Sequence, residues 1–313
     1  MKAVVLREPG SDDPVEVGAL PMPAPKQGEV VVRVRAAAVT PTELAWEPTW
    51  KLPTGEPRPR PIVPGHEFSG EIHALGADVR ELSIGDPVLG MNDWIENGAQ
   101  AEYCVARPSD IALKPRSIEY AVAATIPISG LTAWQGMVEK ARVVRGARVL
   151  ILGGAGAVGI FAVQLAHSLG AHVTATVSAR DLDFVRGLGA EVALDYRLEW
   201  PEGAAGMDIV FDTVGGETLE RAWGCLRPSG KMVTIAASSE QTLDRRTQDA
   251  FFIVEPNRSQ LMKLAEMIAS GRLQTFVGAQ WPLEEAARAY RPHPAAGAPR
   301  RGKAVLVVGD AGR

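Results

Sequence analysis

The chain has 313 residues, with 33 Lys and Arg against 37 Asp and Glu and a formal net charge of −4. This mildly acidic balance, without any basic block, excludes a nucleic-acid binder, and 46 % hydrophobic content excludes a disordered chain. Two cysteines, Cys104 and Cys225, are too few for a disulfide scaffold or a four-cysteine zinc site, and they point to a reducing, cytoplasmic setting.

At roughly 150 residues per domain, the length predicts two domains. The N-terminal MKAVVLREPG meets Arg7 and Glu8 before any useful apolar run, so no secretory signal is expected. The first third reads as β-rich, with strands at Ala3–Leu6, Val30–Arg35 and Phe68–Leu75 bounded by Gly and Pro. Lys51–Pro61 (KLPTGEPRPRP) reads as a loop or turn series.

From about Glu119, apolar runs alternate with helical patterns. Strands are expected at Val149–Leu152, His172–Val177, Ile209–Asp212 and Lys231–Ile235. Helices are expected between them at Gly159–Leu169, Leu182–Leu188 and Thr218–Leu226, with Gly170, Gly189 and Gly230 as C-caps. Such alternation predicts an α/β domain with a parallel sheet covered on both faces. Further on come a strand at Phe251–Val254, an amphipathic helix at Ser259–Ser270, and a short helix after Pro282. A Pro/Ala/Gly loop at Arg291–Gly302 and a last strand at Ala304–Val308 complete the chain.

No formal charge occurs between Arg148 and Arg180, and Val149–Ala166 is long enough to raise a membrane span. The pattern inside it argues otherwise. Gly154, Gly156 and Gly159 form GxGxxG directly after a strand, and Gln164 and His167 interrupt the apolar run. In this pattern the first glycine permits a tight turn and the second lets the backbone approach a pyrophosphate. The third allows close helix–strand packing, with the phosphates held at the helix N-terminus by residues that include Ala157 and Val158.

The end of the second strand distinguishes the dinucleotides. A carboxylate there binds the ribose hydroxyls of NAD, whereas an arginine accommodates the 2′-phosphate of NADP. Val177 and Ser178 end the strand, and Asp181 reads as decoration of the next helix's first turn. Ser178 and Arg180 supply a hydroxyl and a guanidinium, so NADPH is the expected cofactor. The alternative is an N-cap serine and a solvated arginine.

These residues resemble the medium-chain dehydrogenase/reductase superfamily, in its zinc-independent quinone oxidoreductase branch. The matching runs are PGHEFSG from Pro64 to Gly70, Gly76, Val79, GDPV from Gly85, and GLTA from Gly130. VQLA from Val163, LGA from Leu188, DYR from Asp195, DTVGG from Asp212 and Gly302-Lys303 follow in order. The resemblance implies a GroES-like catalytic domain from residues 1–120 and 258–313, around a Rossmann domain at 121–257. It implies that Tyr196 helps hold the 2′-phosphate, and that Thr132 and Phe252 belong to the cofactor site. It also implies a homodimer through the cofactor domain, the strand near Phe252 contributing. An edge strand blunted by Pro256 is the alternative for that segment.

His66-Glu67 matches the zinc-binding branch, but a catalytic zinc needs three protein ligands. Where that branch places its other ligands, this chain has Thr40 and Ile128. No metal is expected, and His66 reads as a hydrogen-bonded histidine or proton relay near the cleft. Without a Lewis acid, hydrogen-bond donors must stabilise charge on the substrate oxygen, which favours quinones and α,β-unsaturated carbonyls. Thr40 and Thr42 are the catalytic candidates, with backbone capping around Pro41 as the alternative. Glu43, Trp46, Trp50, His66 and Trp94 are expected around the substrate, the tryptophans as a planar apolar wall. Cys104 and Cys225 are expected to be buried and unreactive. A zinc-free carbonyl or alcohol oxidoreductase, or a catalytically silent NADPH-binding structural or sensor protein, are the competing functions.

Overall fold

A computed structural model describes residues 1–11, 13–198, 202–240, 242–290 and 301–309. It divides into two compact units. The first comprises Met1–Ile128, Glu255–Ala298 and Lys303–Arg313, and the second Ser129–Val254 with Pro299–Gly302. Most of the Pro/Ala/Gly loop expected at Arg291–Gly302 lies outside the described residues.

The first unit opens with strands β1 (Lys2–Leu6) and β2 (Val15–Ala19), an antiparallel hairpin. β3 (Val30–Val39), β4 (Glu67–Leu75), β5 (Pro87–Met91), β6 (Tyr103–Ala106) and β7 (Ile111–Leu113) follow. Short helices α1 (Glu47–Trp50) and α2 (Tyr120–Ala123) lie between and after them. β3 extends beyond Arg35 because Ala36–Val39 pair with the last strand of the chain. Register shifts at Val31/Val32 and Val34/Ala36 let this one strand serve β4, β6 and the last strand. Alternation along the strands turns Val32, Val34, Phe68, Ile72, Val88 and Leu306 into one buried core.

The second unit begins within α3 (Pro127–Trp134), which continues as a π-turn over Gln135–Ala141. Its strands are β8 (Arg148–Leu152), β9 (His172–Val177), β10 (Val192–Asp195), β11 (Met207–Asp212) and β12 (Leu226–Thr234). All pair in parallel, in the order β10-β9-β8-β11-β12. Helices α4 (Ala157–Ser168), α5 (Leu182–Gly187), α6 (Gly216–Ala222) and α7 (Arg245–Ala250) connect them or follow. Val149, Leu150, Ile151 and Leu152 are each fully buried, worth roughly 1.5–3 kcal/mol apiece, so the uncharged run begins as the central strand and continues through the glycine turn and α4 into β9. The chain order reverses between β8 and β11, and such a reversal opens a ligand crevice at the strands' carboxyl ends.

The chain returns to the first unit with α8 (Arg258–Ala269), β13 (Val277–Pro282), α9 (Ala286–Tyr290) and β14 (Lys303–Val307). Among the described residues, no helix is long and apolar enough to cross a membrane.

Three local expectations are corrected. Phe251–Val254 is not a strand. Only Phe251 makes a bridge, to Thr234, and Phe252 is buried with the Lys140 ammonium 5.6 Å from its ring. Gly230 is no helix cap. It lies inside β12, where a Cβ would stand 2.8 Å from the Met207 carbonyl oxygen of the neighbouring strand. The helix expected to reach Leu226 stops at Ala222, because a tight turn at Trp223–Cys225 sends Leu226 into β12.

Candidate active site

In the second unit, the glycine turn follows β8. The residue with left-handed backbone is Gly153, at φ +79, and not Gly154, the first glycine of the motif. A Cβ on Gly154 would stand 2.9 Å from the Ala175 Cβ in β9, so that glycine serves packing against the neighbouring strand. Gly159 also serves packing, since a Cβ there would lie 2.1 Å from the Gly153 carbonyl oxygen. Gly156 differs. A Cβ on it would meet only the Gly153 oxygen, at 3.3 Å, so its outer side is open. It stands at the N-cap of α4, and no side chain caps the helix. Ala157 and Val158 form the first turn, whose amides are an anion site of the right kind for a pyrophosphate. Thr132 is buried within α3.

At the end of β9, Tyr196 donates its backbone N–H to the Val177 oxygen at 3.0 Å, and its side chain is about half exposed. Arg197 lies 5.3 Å from that ring. Arg180 is exposed on the turn that follows Ser178. Asp181 stands at the N-cap of α5, at the start of the next helix as expected, and is buried. Its carboxylate accepts the Ser178 hydroxyl at 2.7 Å and Arg301 Nε at 2.9 Å. Arg301 also stacks 4.2 Å from the Phe184 ring centre. Sequence spacing could not reveal Arg301, which lies 120 residues from Asp181. Of the residues expected at the cofactor, Gly154, Gly156, Ala157, Val158 and Gly159 lie at the glycine turn and Ser178, Arg180 and Tyr196 at the end of β9, whereas Thr132 lies in α3 and Phe252 follows the bridge to β12.

In the first unit, Glu43 sits in the tight turn Pro41–Ala45 and is fully buried. Its Oε1 accepts the Gly65 amide at 2.7 Å. Gly65 has φ +80, and a Cβ there would strike the Gln100 side chain at 2.5 Å, so only glycine serves. His66 is buried next to it, with Nε2 3.2 Å from the Glu96 carbonyl oxygen and Nδ1 3.8 Å from Glu43 Oε1. Glu67 accepts the Ile128 amide at 3.0 Å and the Thr40 hydroxyl at 3.4 Å, and forms a buried ion pair with Lys303. Burial pushes the Glu43 carboxyl up to about 7, against the Gly65 hydrogen bond and the charges of Lys303 and Arg58. Burial also lowers the His66 imidazole to about 4 and the Lys303 ammonium to about 7.

Trp46 and Trp94 meet edge to face, 4.8 Å between centres and at 90°, and His66 lies 5.0 Å from Trp94. Trp50 stands apart from this pair, with its indole N–H on the Leu44 carbonyl and Arg60 6.0 Å from its ring. Thr42 is exposed on the turn. Thus Thr40, Glu43, Trp46, His66 and Trp94 are linked through short contacts, and Trp50 and Thr42 flank them. Among the described residues, no three His, Cys, Asp or Glu side chains converge to hold a metal ion. Cys104 and Cys225 are buried free thiols, and burial pushes Cys104 up to about 12.

Two family models match, the alcohol dehydrogenase GroES-like domain over residues 26–152 and the zinc-binding dehydrogenase over 188–306. A probable zinc-binding mitochondrial oxidoreductase of Arthroderma benhamiae is 31% identical over 85% of this chain and 85% of its own. The NADPH-dependent alkenal/one oxidoreductase of Arabidopsis thaliana is 33% identical over 90% of this chain and 73% of its own. The quinone oxidoreductase structure from Coxiella burnetii superposes with a TM-score of 0.88 at 29% identity, covering 98% of this chain and 99% of that one. The chain is an oxidoreductase of the medium-chain dehydrogenase/reductase superfamily, in its quinone oxidoreductase-like branch.

Proposed function

We propose that the chain reduces a quinone or an α,β-unsaturated ketone or aldehyde, using NADPH and no metal. The observation that carries the metal-free reading is the state of Glu67. Its two carboxylate oxygens are engaged by the Ile128 amide, Thr40 and Lys303, which leaves His66 and a buried, readily protonated Glu43 as the remaining donors. Two such groups fall short of the three ligands of a catalytic zinc.

Bound NADPH supplies the hydride. The backbone at Gly154, Gly156 and Gly159 with the first turn of α4 holds the pyrophosphate. Ser178, Arg180 and Tyr196 hold the 2′-phosphate, and Thr132 and Phe252 support the cofactor from within the unit. The choice of NADPH is supported by Asp181, whose carboxylate is already bound by Ser178 and Arg301 and is not offered to ribose hydroxyls. The NADPH dependence of the Arabidopsis relative points the same way.

On the acceptor side, Thr40 and Thr42 donate to the oxygen on which charge develops, a role worth roughly 10²–10³ in rate per donor. Hydride arriving at the β-carbon of an enone leaves an enolate, a milder demand than an alkoxide. Glu43, Trp46, Trp50, His66 and Trp94 surround the acceptor, and His66 stays uncharged at neutral pH because burial holds it near 4. We further propose a cytoplasmic homodimer formed through the cofactor unit, and the division into catalytic residues 1–120 and 258–313 around a cofactor domain at 121–257.

The test is NADPH oxidation by the purified protein with a quinone, a cyclic enone and a simple aldehyde, alongside metal analysis. Oxidation driven by the first two, with zinc far below one per chain, is expected. Oxidation by the aldehyde alone would favour a carbonyl reductase, and NADPH binding without any oxidation a silent binding protein. Stoichiometric zinc would overturn the metal-free reading.

A further inference from the structure

The segment after Trp50 folds into a closed turn. Lys51 and Pro57 pair across it, and the Arg58 amide donates to the Trp50 oxygen at 2.8 Å. This places the Arg58 side chain inside the unit, only 7% exposed. A buried guanidinium normally faces a carboxylate. Among the described residues, this one makes no such ion pair. It donates instead to backbone carbonyls, from Nη1 to Pro48 at 3.4 Å, Thr49 at 3.5 Å and Trp94 at 3.3 Å. Nη2 donates to the Glu96 oxygen at 2.9 Å.

Those carbonyls belong to two separate segments. Pro48 and Thr49 lie on α1, directly after Trp46, and the others on the turn that carries Trp94. The Glu96 oxygen is also the partner of His66 Nε2, at 3.2 Å. One planar fork with five donors can bridge all of them, which a lysine ammonium with three donors on a flexible stem cannot do. The edge-to-face pair of Trp46 and Trp94 spans the same two segments.

We propose that Arg58 is a positioning residue for the acceptor: by gathering the carbonyls of Pro48, Thr49, Trp94 and Glu96, it fixes Trp46 and Trp94, with the buried His66 packed on Trp94, as a rigid aromatic surface for a flat, uncharged ring. This rests on the reading of those side chains as the acceptor site. The guanidinium is itself buried and its donors are taken up by backbone carbonyls. A ring-bearing acceptor gains from fixed indole faces, whereas an acyclic enal has little planar area to lay against them.

The experiment compares wild type with Arg58→Lys, Arg58→Met and Trp94→Leu. Three quantities are measured: KM and kcat for a cyclic enone, NADPH affinity by fluorescence titration, and the exciton couplet of the indole pair in circular dichroism. Arg58→Met is expected to raise KM at least about tenfold with NADPH affinity kept, the scale of lost positioning. The couplet collapses in the same variant, Arg58→Lys falls between it and wild type, and Trp94→Leu raises KM with Arg58 intact. If Arg58→Met does not fold, Arg58→Lys carries the comparison. A wild-type KM in an Arg58 variant that has lost the couplet, or a couplet unchanged in all Arg58 variants, overturns the role of Arg58. A wild type that fails to oxidise NADPH with any quinone or enone offered overturns the acceptor reading itself, a result visible before any variant is made.

Discussion

Nδ1 of His66 faces Oε1 of Glu43 across 3.8 Å, both side chains being buried. The Glu96 carbonyl can only accept, so Nε2 of His66 carries its hydrogen and Nδ1 keeps a lone pair turned toward Glu43. Glu43 Oε1 already accepts the Gly65 amide, which leaves the acid proton to Oε2. Between about pH 4 and pH 7 the pair is a neutral acid beside a neutral base, with the proton on the carboxyl.

That arrangement has a pH signature. Glu43 rises from 4.5 to about 7 on folding, so between these values only the unfolded chain ionises, and stability falls as pH rises. The whole change amounts to ~3 kcal/mol. His66 drops from 6.5 to about 4, so in that window only the unfolded chain is protonated, and stability rises with pH. In wild type the slopes oppose each other. Glu43→Gln removes one of them, and its urea stability is expected to climb from pH 4 to 6.5 while wild type stays flat or declines. Parallel profiles for the two proteins would contradict the assignment.

The glycine turn separates folding from binding. Gly159→Ala forces a Cβ to 2.1 Å from the Gly153 oxygen and should destabilise the unit by roughly 1–3 kcal/mol, as overpacking does. Gly156→Ala meets one oxygen at 3.3 Å and should leave the melting temperature nearly unchanged. Its methyl group projects toward the space we assign to the pyrophosphate. NADPH affinity measured by titration should drop at least about tenfold, equivalent to ~1.4 kcal/mol.

The end of β9 makes a prediction about the choice between dinucleotides. Arg180→Ala should weaken NADPH binding by about 1.5–3 kcal/mol, the worth of a charge-assisted hydrogen bond, and leave NADH binding alone. An equal loss for both would mean that Arg180 supports the turn and not the phosphate. Unchanged NADPH affinity would move phosphate recognition elsewhere at this strand end.

The parallel sheet was legible because its strands and turns are written in local terms. β9 carries its signal within His172–Val177, and the glycine spacing names the helix that follows β8. Gly153 escaped the motif because two adjacent glycines offered two frames, and only the backbone shows which one turns left-handed. Phe251–Val254 has the composition of a strand, but tertiary pairing leaves it a single bridge to Thr234. In the β-rich unit, Thr40 drew attention because it stands where a zinc ligand is missing, His66 because it matches the zinc-binding branch, and Glu43 because it lies in the loop with Thr40. Arg58 was invisible there because its partners are backbone carbonyls, which have no sequence signature. Long-range side-chain partners were beyond reach because spacing does not show which distant residues meet, as with Arg301 on Asp181.

Lys303 is the sharpest example, since Gly302-Lys303 stood out only as a matching motif. In the structure its ammonium is buried against Glu67, whose Oε2 in turn accepts the Ile128 amide at 3.0 Å. Lys303→Met leaves a carboxylate buried without its cation and should cost about 3–5 kcal/mol in urea unfolding. Glu67→Gln keeps a carbonyl for the Ile128 amide but strands the ammonium, whose pKa near 7 lets it shed its proton at modest cost. The double variant removes both charges together. It should therefore be more stable than Lys303→Met alone, with a coupling energy of at least about 1 kcal/mol, as contacting residues show. Strict additivity of the two single changes would mean that the ion pair does nothing beyond the sum of its burial costs.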